Sequence, residues 1–157
     1  GGDYYEKERG PVEGMGIARR IAHLTYRTES EMDVRFGRQL QGDDTGRYAV
    51  ESYLDHQASK LAKRFDANTY ITLSRAMNHH DVGRGRGGVA SALARVTAEV
   101  TIAGITSDWL YPLRLQHEIA SHLATCPEVI EIESIAGHDG FLVEHDAVSA
   151  LISKALA

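Results

Sequence analysis

The sequence predicts an α/β protein in which a helical first half precedes a short parallel sheet. Apolar residues recur at helical spacing over residues 17–95, with no convincing strand among them. After residue 98 the pattern changes to two short apolar runs with β-branched residues, each followed by a helical pattern. The order strand, helix, strand, helix implies right-handed crossovers and therefore parallel strands.

The first two helices are marked by an apolar face and by a capping pattern. Ile17, Ile21 and Leu24 lie at i, i+4 and i+7, which places them on one face of the first helix. Thr28 followed by Glu31 has the spacing of a capping box, and this opens a short second helix.

Two longer helices follow. Residues 50–65 keep an apolar helical register over about four turns. Asp66 can cap the next helix, whose apolar face is Tyr70, Leu73 and Met77. A glycine-rich stretch at residues 83–88 then predicts a connecting loop, because it lacks the Gly-Lys-Ser/Thr of a phosphate-binding loop and follows a helix.

The second half carries the predicted sheet. Residues 100–105 form the first strand and residues 129–133 the second. Pro112 suits the first turn of the helix between them, which Pro127 stops. The glycines at positions 137 and 140 predict a tight loop, and a closing helix covers residues 148–155.

Two ionisable residues follow the predicted strands. Asp108 lies three residues past the first strand and His138 five past the second. Ligands gather beyond the carboxyl ends of parallel strands, and neighbouring strands lie about 4.8 Å apart. A carboxylate–imidazole hydrogen bond is therefore feasible, as a general base requires. The residues alone leave open a turn-forming Asp and a loop His.

No nucleophile completes this pair within the chain. Ser107 and Ser134 lie near strand ends, but neither has a glycine two residues before and after it. Cys126 stands at a helix end, a poor position for a nucleophile, and as the single cysteine it cannot form an internal disulfide. We expect the nucleophile upstream of this chain, which does not begin with methionine.

Other charged groups carry weaker predictions. Arg19 and Tyr26 belong to a cluster on the first helix that is either a solvated basic face or a clamp for a substrate carboxylate. The adjacent pair His79 and His80 would chelate a metal poorly, so no metal site is predicted.

The charge balance excludes some classes of function. Seventeen Lys and Arg against 22 Asp and Glu give a net charge of −5, which argues against nucleic acid as a partner. Apolar runs are too short to span a membrane. With one cysteine and no signal-peptide pattern, we expect a cytoplasmic protein.

Several segments together resemble homoserine O-acetyltransferases of the α/β-hydrolase superfamily, and the actinobacterial members most of all. The resemblance covers residues 2–142 in the order of the family. The matching segments are GGDYY, GPVEGMGIARRIAHLTYR, RFGRQLQ, VESYLDHQASKLAKRFDANTYITLSRAM, HDVGRGRGG, ITSDWLYPLRLQ and GHDGFL.

The resemblance implies the C-terminal part of an α/β-hydrolase fold, in which a mainly helical lid precedes the end of the parallel sheet. Residues 1–95 would be the helical segment and lid, and residues 96–157 the C-terminal strand-helix-strand-helix of the core. The N-terminal core with its nucleophile is absent, so this chain is not expected to be active alone. The family forms homodimers through its lid helices.

The resemblance also implies roles for five residues. Asp108 in SDWLYP matches the triad acid, and His138 in GHDGFL matches the triad base. Arg19 and Tyr26 match residues that hold homoserine, Arg19 through the carboxylate. Asp139 matches an acid that contacts the amino end of homoserine.

The implied reaction is a ping-pong transfer of an acetyl group from acetyl-CoA to the hydroxyl of L-homoserine, in methionine biosynthesis. Acetyl-CoA is a substrate, and no cofactor is held permanently. Two alternatives stay open: succinyl transfer to homoserine or transfer to serine on the same fold, and a non-catalytic helical dimerisation module.

Overall fold

The computed structural model describes residues 2–7, 10–42, 46–125 and 128–156. The chain divides into two compact units. Unit 1 comprises Gly1–Thr25 and Met32–His80, and unit 2 comprises Tyr26–Glu31 and Asp81–Ala157. The boundary near residue 95 stays a prediction. Cys126 and Pro127, for which the sequence also gave predictions, lie outside the described residues.

Within the described residues, five helices precede a strand-helix-strand-helix segment, as the sequence predicts. In chain order they are α1 (Val12–Tyr26), α2 (Glu29–Arg35), α3 (Ala49–Arg64), α4 (Ala67–His79), α5 (Val89–Leu93), β1 (Ile102–Ile105), α6 (Leu113–His122), β2 (Val129–Ile132), α7 (Gly140–Val143) and α8 (His145–Ala155). No helix in these ranges is long and apolar enough to cross a membrane.

In unit 1, helices α1 and α3 pack against each other in antiparallel directions. Gly16 of α1 faces Ala58 of α3, and a Cβ added at Gly16 would lie 3.5 Å from the Cβ of Ala58. One turn further along α1, Arg20 binds Asp55 at 2.7 Å. Asp55 precedes Ala58 in α3, so the two helices run in opposite directions. Hydrogen bonds from Arg20 and from Arg47 hold the pKa of the Asp55 carboxyl below its ordinary value.

Both predicted helix caps are confirmed. The hydroxyl of Thr28 accepts the Glu31 amide at 3.0 Å and starts α2. The carboxylate of Asp66 accepts the Thr69 amide at 2.7 Å and starts α4. Asp66 also accepts the Tyr4 hydroxyl, and these contacts, that of Tyr4 first, hold the pKa of Asp66 below its ordinary value.

In unit 2, the predicted parallel sheet is confirmed. Ile102 lies opposite Val129, and Ile105 opposite Ile132. Helix α6 packs on the sheet, where Ala120 is buried against Val129 and Ile102. Because the strands are parallel, the chain leaves both at the same edge of the sheet. The segments that carry Asp108 and His138 begin at this edge.

One local prediction is wrong. The predicted loop at residues 137–140 is helical: a 3₁₀ turn over Gly137–Asp139 runs directly into α7. Gly140 has helical angles, φ −51° and ψ −39°, so it is not a turn glycine. A Cβ at this position would lie 2.7 Å from Ile105, and glycine is needed for that close packing on β1.

Candidate active site

Asp108 and His138 meet at the carboxyl edge of the sheet in unit 2. The Nδ1 atom of His138 lies 2.8 Å from Oδ2 of Asp108. This is the hydrogen bond that the placement of the two residues after β1 and β2 predicts. It joins residues that are 30 positions apart in the sequence.

The Asp108 carboxylate is fixed by its own backbone turn. Its side chain is buried, and its Oδ1 atom accepts the amides of Leu110 and Tyr111, both at 2.9 Å. Such a turn is a common conformation for an Asp that follows a strand. One oxygen is therefore held by the backbone, and the other is oriented toward the imidazole.

This hydrogen bond fixes the tautomer of His138. An ionised carboxylate only accepts hydrogen bonds, so the hydrogen lies on Nδ1 of the imidazole. In the neutral ring Nε2 then carries the lone pair, and it makes no hydrogen bond with any residue in the described ranges. Nε2 is the atom through which His138 can act as a base.

Aromatic rings surround the imidazole. The ring centroid of His138 lies 5.1 Å from that of Tyr111, 5.5 Å from Tyr26 and 5.6 Å from Phe141. A cavity of about 290 Å³ next to them is lined mainly by apolar side chains together with Asp108 and His138. The rings restrict rotation of the imidazole and reduce its contact with water.

The turn that carries His138 depends on Gly137. Its φ is +67°, and a Cβ would lie 2.6 Å from the carbonyl oxygen of Tyr26. Its amide donates to the Ser107 hydroxyl at 3.0 Å. The hydroxyl of Ser134 likewise accepts the Ala136 amide at 3.1 Å. Both serines near the strand ends thus support the backbone.

Arg27 is a charged neighbour of the site. From the sequence alone it is one of several charged residues clustered on the first helix, with no role of its own. Its guanidinium binds Glu31 at 3.0 Å and Asp139 at 2.9 Å. Its carbonyl accepts the Trp109 indole N–H at 3.0 Å. The i, i+4 spacing of Arg27 and Glu31 was the available signal; the pairing with Asp139 had none.

The predicted site residues lie in different units of the chain. Tyr26 and Asp139 lie in unit 2 with His138, and Asp139 is engaged by Arg27. Arg19 lies in unit 1, on α1, half-buried and without an ion pair to any described residue. Among those residues, no group of three or more His, Cys, Asp or Glu is arranged to hold a metal ion. The substrate roles stay predictions.

Comparison with known proteins gives close relatives. The chain is 61% identical over 162 residues to a homoserine O-acetyltransferase of Thermobifida fusca, covering 100% of this chain and 43% of that protein. It is 55% identical over 160 residues to one of Mycolicibacterium paratuberculosis, covering 99% and 41%. The chain thus spans less than half the length of these relatives. No family model matches it.

The fold agrees with these relatives. A crystal structure of homoserine O-acetyltransferase from Bacillus anthracis superposes with a TM-score of 0.76 at 23% identity, covering 89% of this chain and 40% of that one. That likeness concerns the fold, which is the end of an α/β-hydrolase sheet with a helical segment before it. With identity above one half over its full length as well, this chain is similar to part of the homoserine O-acetyltransferases named above.

Proposed function

We propose that this chain supplies the acid and the base of a Ser-His-Asp acyltransferase that moves an acetyl group from acetyl-CoA to the hydroxyl of L-homoserine. The observation that carries the proposal is the 2.8 Å hydrogen bond between Asp108 and His138. It gives the imidazole the tautomer that such a base needs. The names of the relatives support the choice of substrate.

The reaction would proceed in two half-reactions in the full-length protein. In the first, Nε2 of His138 takes the proton of a serine outside this chain, and the serine oxygen attacks the thioester carbon of acetyl-CoA. Backbone amides stabilise the oxyanion. The carbon–sulfur bond breaks, and the imidazolium returns the proton to the CoA thiolate, leaving an acetyl-serine.

In the second half-reaction, His138 takes the proton of the homoserine hydroxyl. The hydroxyl oxygen attacks the acetyl-serine, and the imidazolium protonates the departing serine, so that O-acetylhomoserine and free enzyme result. Asp108 orients the imidazole and stabilises its charged form in both steps. Acetyl-CoA takes part as a substrate, and the proposed reaction needs no cofactor.

Three residues would hold homoserine. Arg19 would bind its carboxylate, since guanidinium and carboxylate groups match geometrically. Tyr26 would add its hydroxyl, and its ring already lies 5.5 Å from that of His138. Asp139, the residue after the base, would bind the ammonium group.

We further propose a homodimer formed through the lid helices α3 and α4, in a cytoplasmic enzyme of methionine biosynthesis. Apolar side chains of α4, including Leu73 and Met77, are exposed and could pack across a two-fold axis. The acidic net charge of −5 supports a protein without nucleic acid as partner.

The test is replacement of His138 by Ala in the full-length polypeptide, with CoA release followed in the presence of acetyl-CoA and homoserine. Loss of the general base is expected to lower kcat by at least about 10³-fold. A matched control is His117→Ala, because His117 is exposed on α6 and pairs with Glu131 at 3.5 Å. Unchanged turnover in His138→Ala would refute the proposal.

The same assay separates the alternatives. Specificity constants for acetyl-CoA and succinyl-CoA decide the acyl donor, and homoserine against serine decides the acceptor. A wild-type full-length protein that turns over none of these substrates would favour the non-catalytic dimerisation module.

Arg19→Ala tests the substrate-binding assignment. Removal of the carboxylate partner is expected to raise KM for homoserine far more than KM for acetyl-CoA, because only homoserine carries the group that Arg19 binds. Equal effects on both constants would refute this role.

A further inference from the structure

Arg27 has no part in the reaction proposed above, although it is the charged side chain that links two acids beside the candidate base. Its side chain is 14% exposed, and those of Glu31 and Asp139 are 12% and 15% exposed. A guanidinium largely withdrawn from water interacts strongly with its carboxylate partners. These ion pairs therefore differ from ordinary surface pairs.

The contacts of Arg27 divide the Asp139 carboxylate into two parts. Nη2 of Arg27 binds Oδ2 of Asp139 at 2.9 Å, while Nη1 binds Glu31. Oδ1 of Asp139 makes no hydrogen bond with any residue among those described. A carboxylate oxygen without such a bond can accept one from a cationic group of a ligand.

The backbone of Arg27 is fixed independently of its guanidinium. Its carbonyl accepts the Trp109 indole N–H at 3.0 Å. The hydroxyl of the next residue, Thr28, donates to the carbonyl of Ile135, just before the turn that carries His138. A change confined to the Arg27 side chain therefore alters the charge at Asp139 and leaves these backbone contacts in place.

We propose that Arg27 is a positioning residue that determines acceptor selectivity by holding Asp139 ready for the ammonium group of an amino-acid acceptor. Arg27 occupies Oδ2 and leaves Oδ1 for the ligand. Without the guanidinium, the Asp139 carboxylate loses the ion pair that orients it. This inference rests on the proposed function, because it concerns the second substrate of that reaction.

The test compares the two half-reactions in the full-length protein with Arg27→Met. The CoA burst without homoserine reports acetylation of the enzyme, and kcat/KM for homoserine reports the second step. We expect kcat/KM for homoserine to fall by about 10- to 100-fold, the loss that a misplacement of about 1 Å can cause. The burst rate is expected to stay within about twofold of wild type.

A second readout uses an acceptor without the ammonium group. For 4-hydroxybutanoate, Arg27→Met is expected to change kcat/KM little. The ratio of kcat/KM for homoserine to kcat/KM for this compound should therefore fall by nearly the same factor as kcat/KM for homoserine. If the role of Arg27 were purely structural, the substitution would lower kcat/KM for both acceptors alike and leave their ratio unchanged.

Further variants make the comparison independent of folding. Arg27→Lys keeps a cation and should recover part of the preference. Asp139→Asn should reproduce the loss, and the double variant should be no worse than Asp139→Asn, because Arg27 acts through Asp139. Arg47→Met is the matched control, since Arg47 pairs with the half-exposed Asp55 of unit 1.

The outcomes distinguish this inference from the function on which it rests. A wild-type protein that transfers no acetyl group to homoserine refutes both. The positioning role alone is refuted if the wild type is active and Arg27→Met lowers the burst rate and kcat/KM for both acceptors equally. It is also refuted if Arg27→Met lowers none of these quantities. Should Arg27→Met fail to fold, Arg27→Lys and Asp139→Asn give the same comparison.

Discussion

The two units of the chain obtain their structure in different ways. In unit 1, helix α1 leaves its apolar face largely exposed, with Ile17, Ile21 and Leu24 each more than half accessible. In unit 2, by contrast, the Asp108 side chain is buried and makes hydrogen bonds with His138 and with two backbone amides of its own turn. Repeating apolar spacing predicts the helices of unit 1, whereas the site in unit 2 depends on single contacts between particular side chains.

The contrast is tested most strongly at Asp108. Asp108→Asn in the full-length protein keeps the shape of the side chain but no longer favours the tautomer with the hydrogen on Nδ1 of His138. We expect kcat for acetyl transfer to fall by about 10⁴-fold. The measurement is steady-state CoA release. Asp146→Asn, at an exposed position in the first turn of α8, is the control. A loss below about tenfold would contradict the role of Asp108.

Next in size is the effect of a methyl group at Gly137. Gly137→Ala combines a φ of +67° with a Cβ at 2.6 Å from the Tyr26 carbonyl. We expect the free energy of unfolding to fall by on the order of 3 kcal/mol or more. Gly85→Ala is the matched control, because its φ is +70° with nothing within 4 Å. That variant should lose only about 1–2 kcal/mol. Equal losses in denaturant titrations would show that the contact with Tyr26 contributes nothing.

The exposed helix faces of unit 1 give the third prediction. If α4 lies in a dimer interface, Leu73→Asp places a charge there and should raise the dimer dissociation constant by about tenfold or more, or about 1.4 kcal/mol. Sedimentation at several concentrations measures it. The exposed neighbour Thr72→Asp controls for the added charge. A dimer unaffected by Leu73→Asp would place the interface elsewhere.

The smallest effect is expected at Asp55, whose side chain is about half exposed. Because hydrogen bonds from Arg20 and Arg47 lower its pKa in the folded state, its contribution is present above the ordinary value of about 3.9. It is lost as the pH falls through the lower folded pKa. The Tm difference between wild type and Asp55→Asn should therefore be small at pH 7 and vanish in acid. A difference that grows on acidification would contradict the ion pairs.

Sequence patterns predicted those features that depend on local spacing or on the regular geometry of parallel strands. Helix registers, the caps of Thr28 and Asp66, the parallel sheet and the Asp108–His138 hydrogen bond all follow from spacing or from position after a strand. The partner of Arg27 could not be found in this way. Asp139 lies more than a hundred residues further on, and no local pattern encodes their meeting.

The turn after β2 shows the second limit of sequence reading. A glycine indicates a loop when its freedom at positive φ is needed, as at Gly137. Gly140 is glycine for another reason, its packing against Ile105, which only the folded chain reveals. Asp108 and His138 were accessible to prediction because parallel strands impose their geometry on whatever follows them.

Segment Tyr26–Glu31 has a consequence for how such genes can be recombined. It is encoded among the helices of unit 1 but belongs with the residues around His138. An exchange of the helical region between two homologous genes would also replace Tyr26 and Arg27, although both strands stayed intact. We expect active chimeras to take residues 26–31 from the parent that supplies residues 81–157.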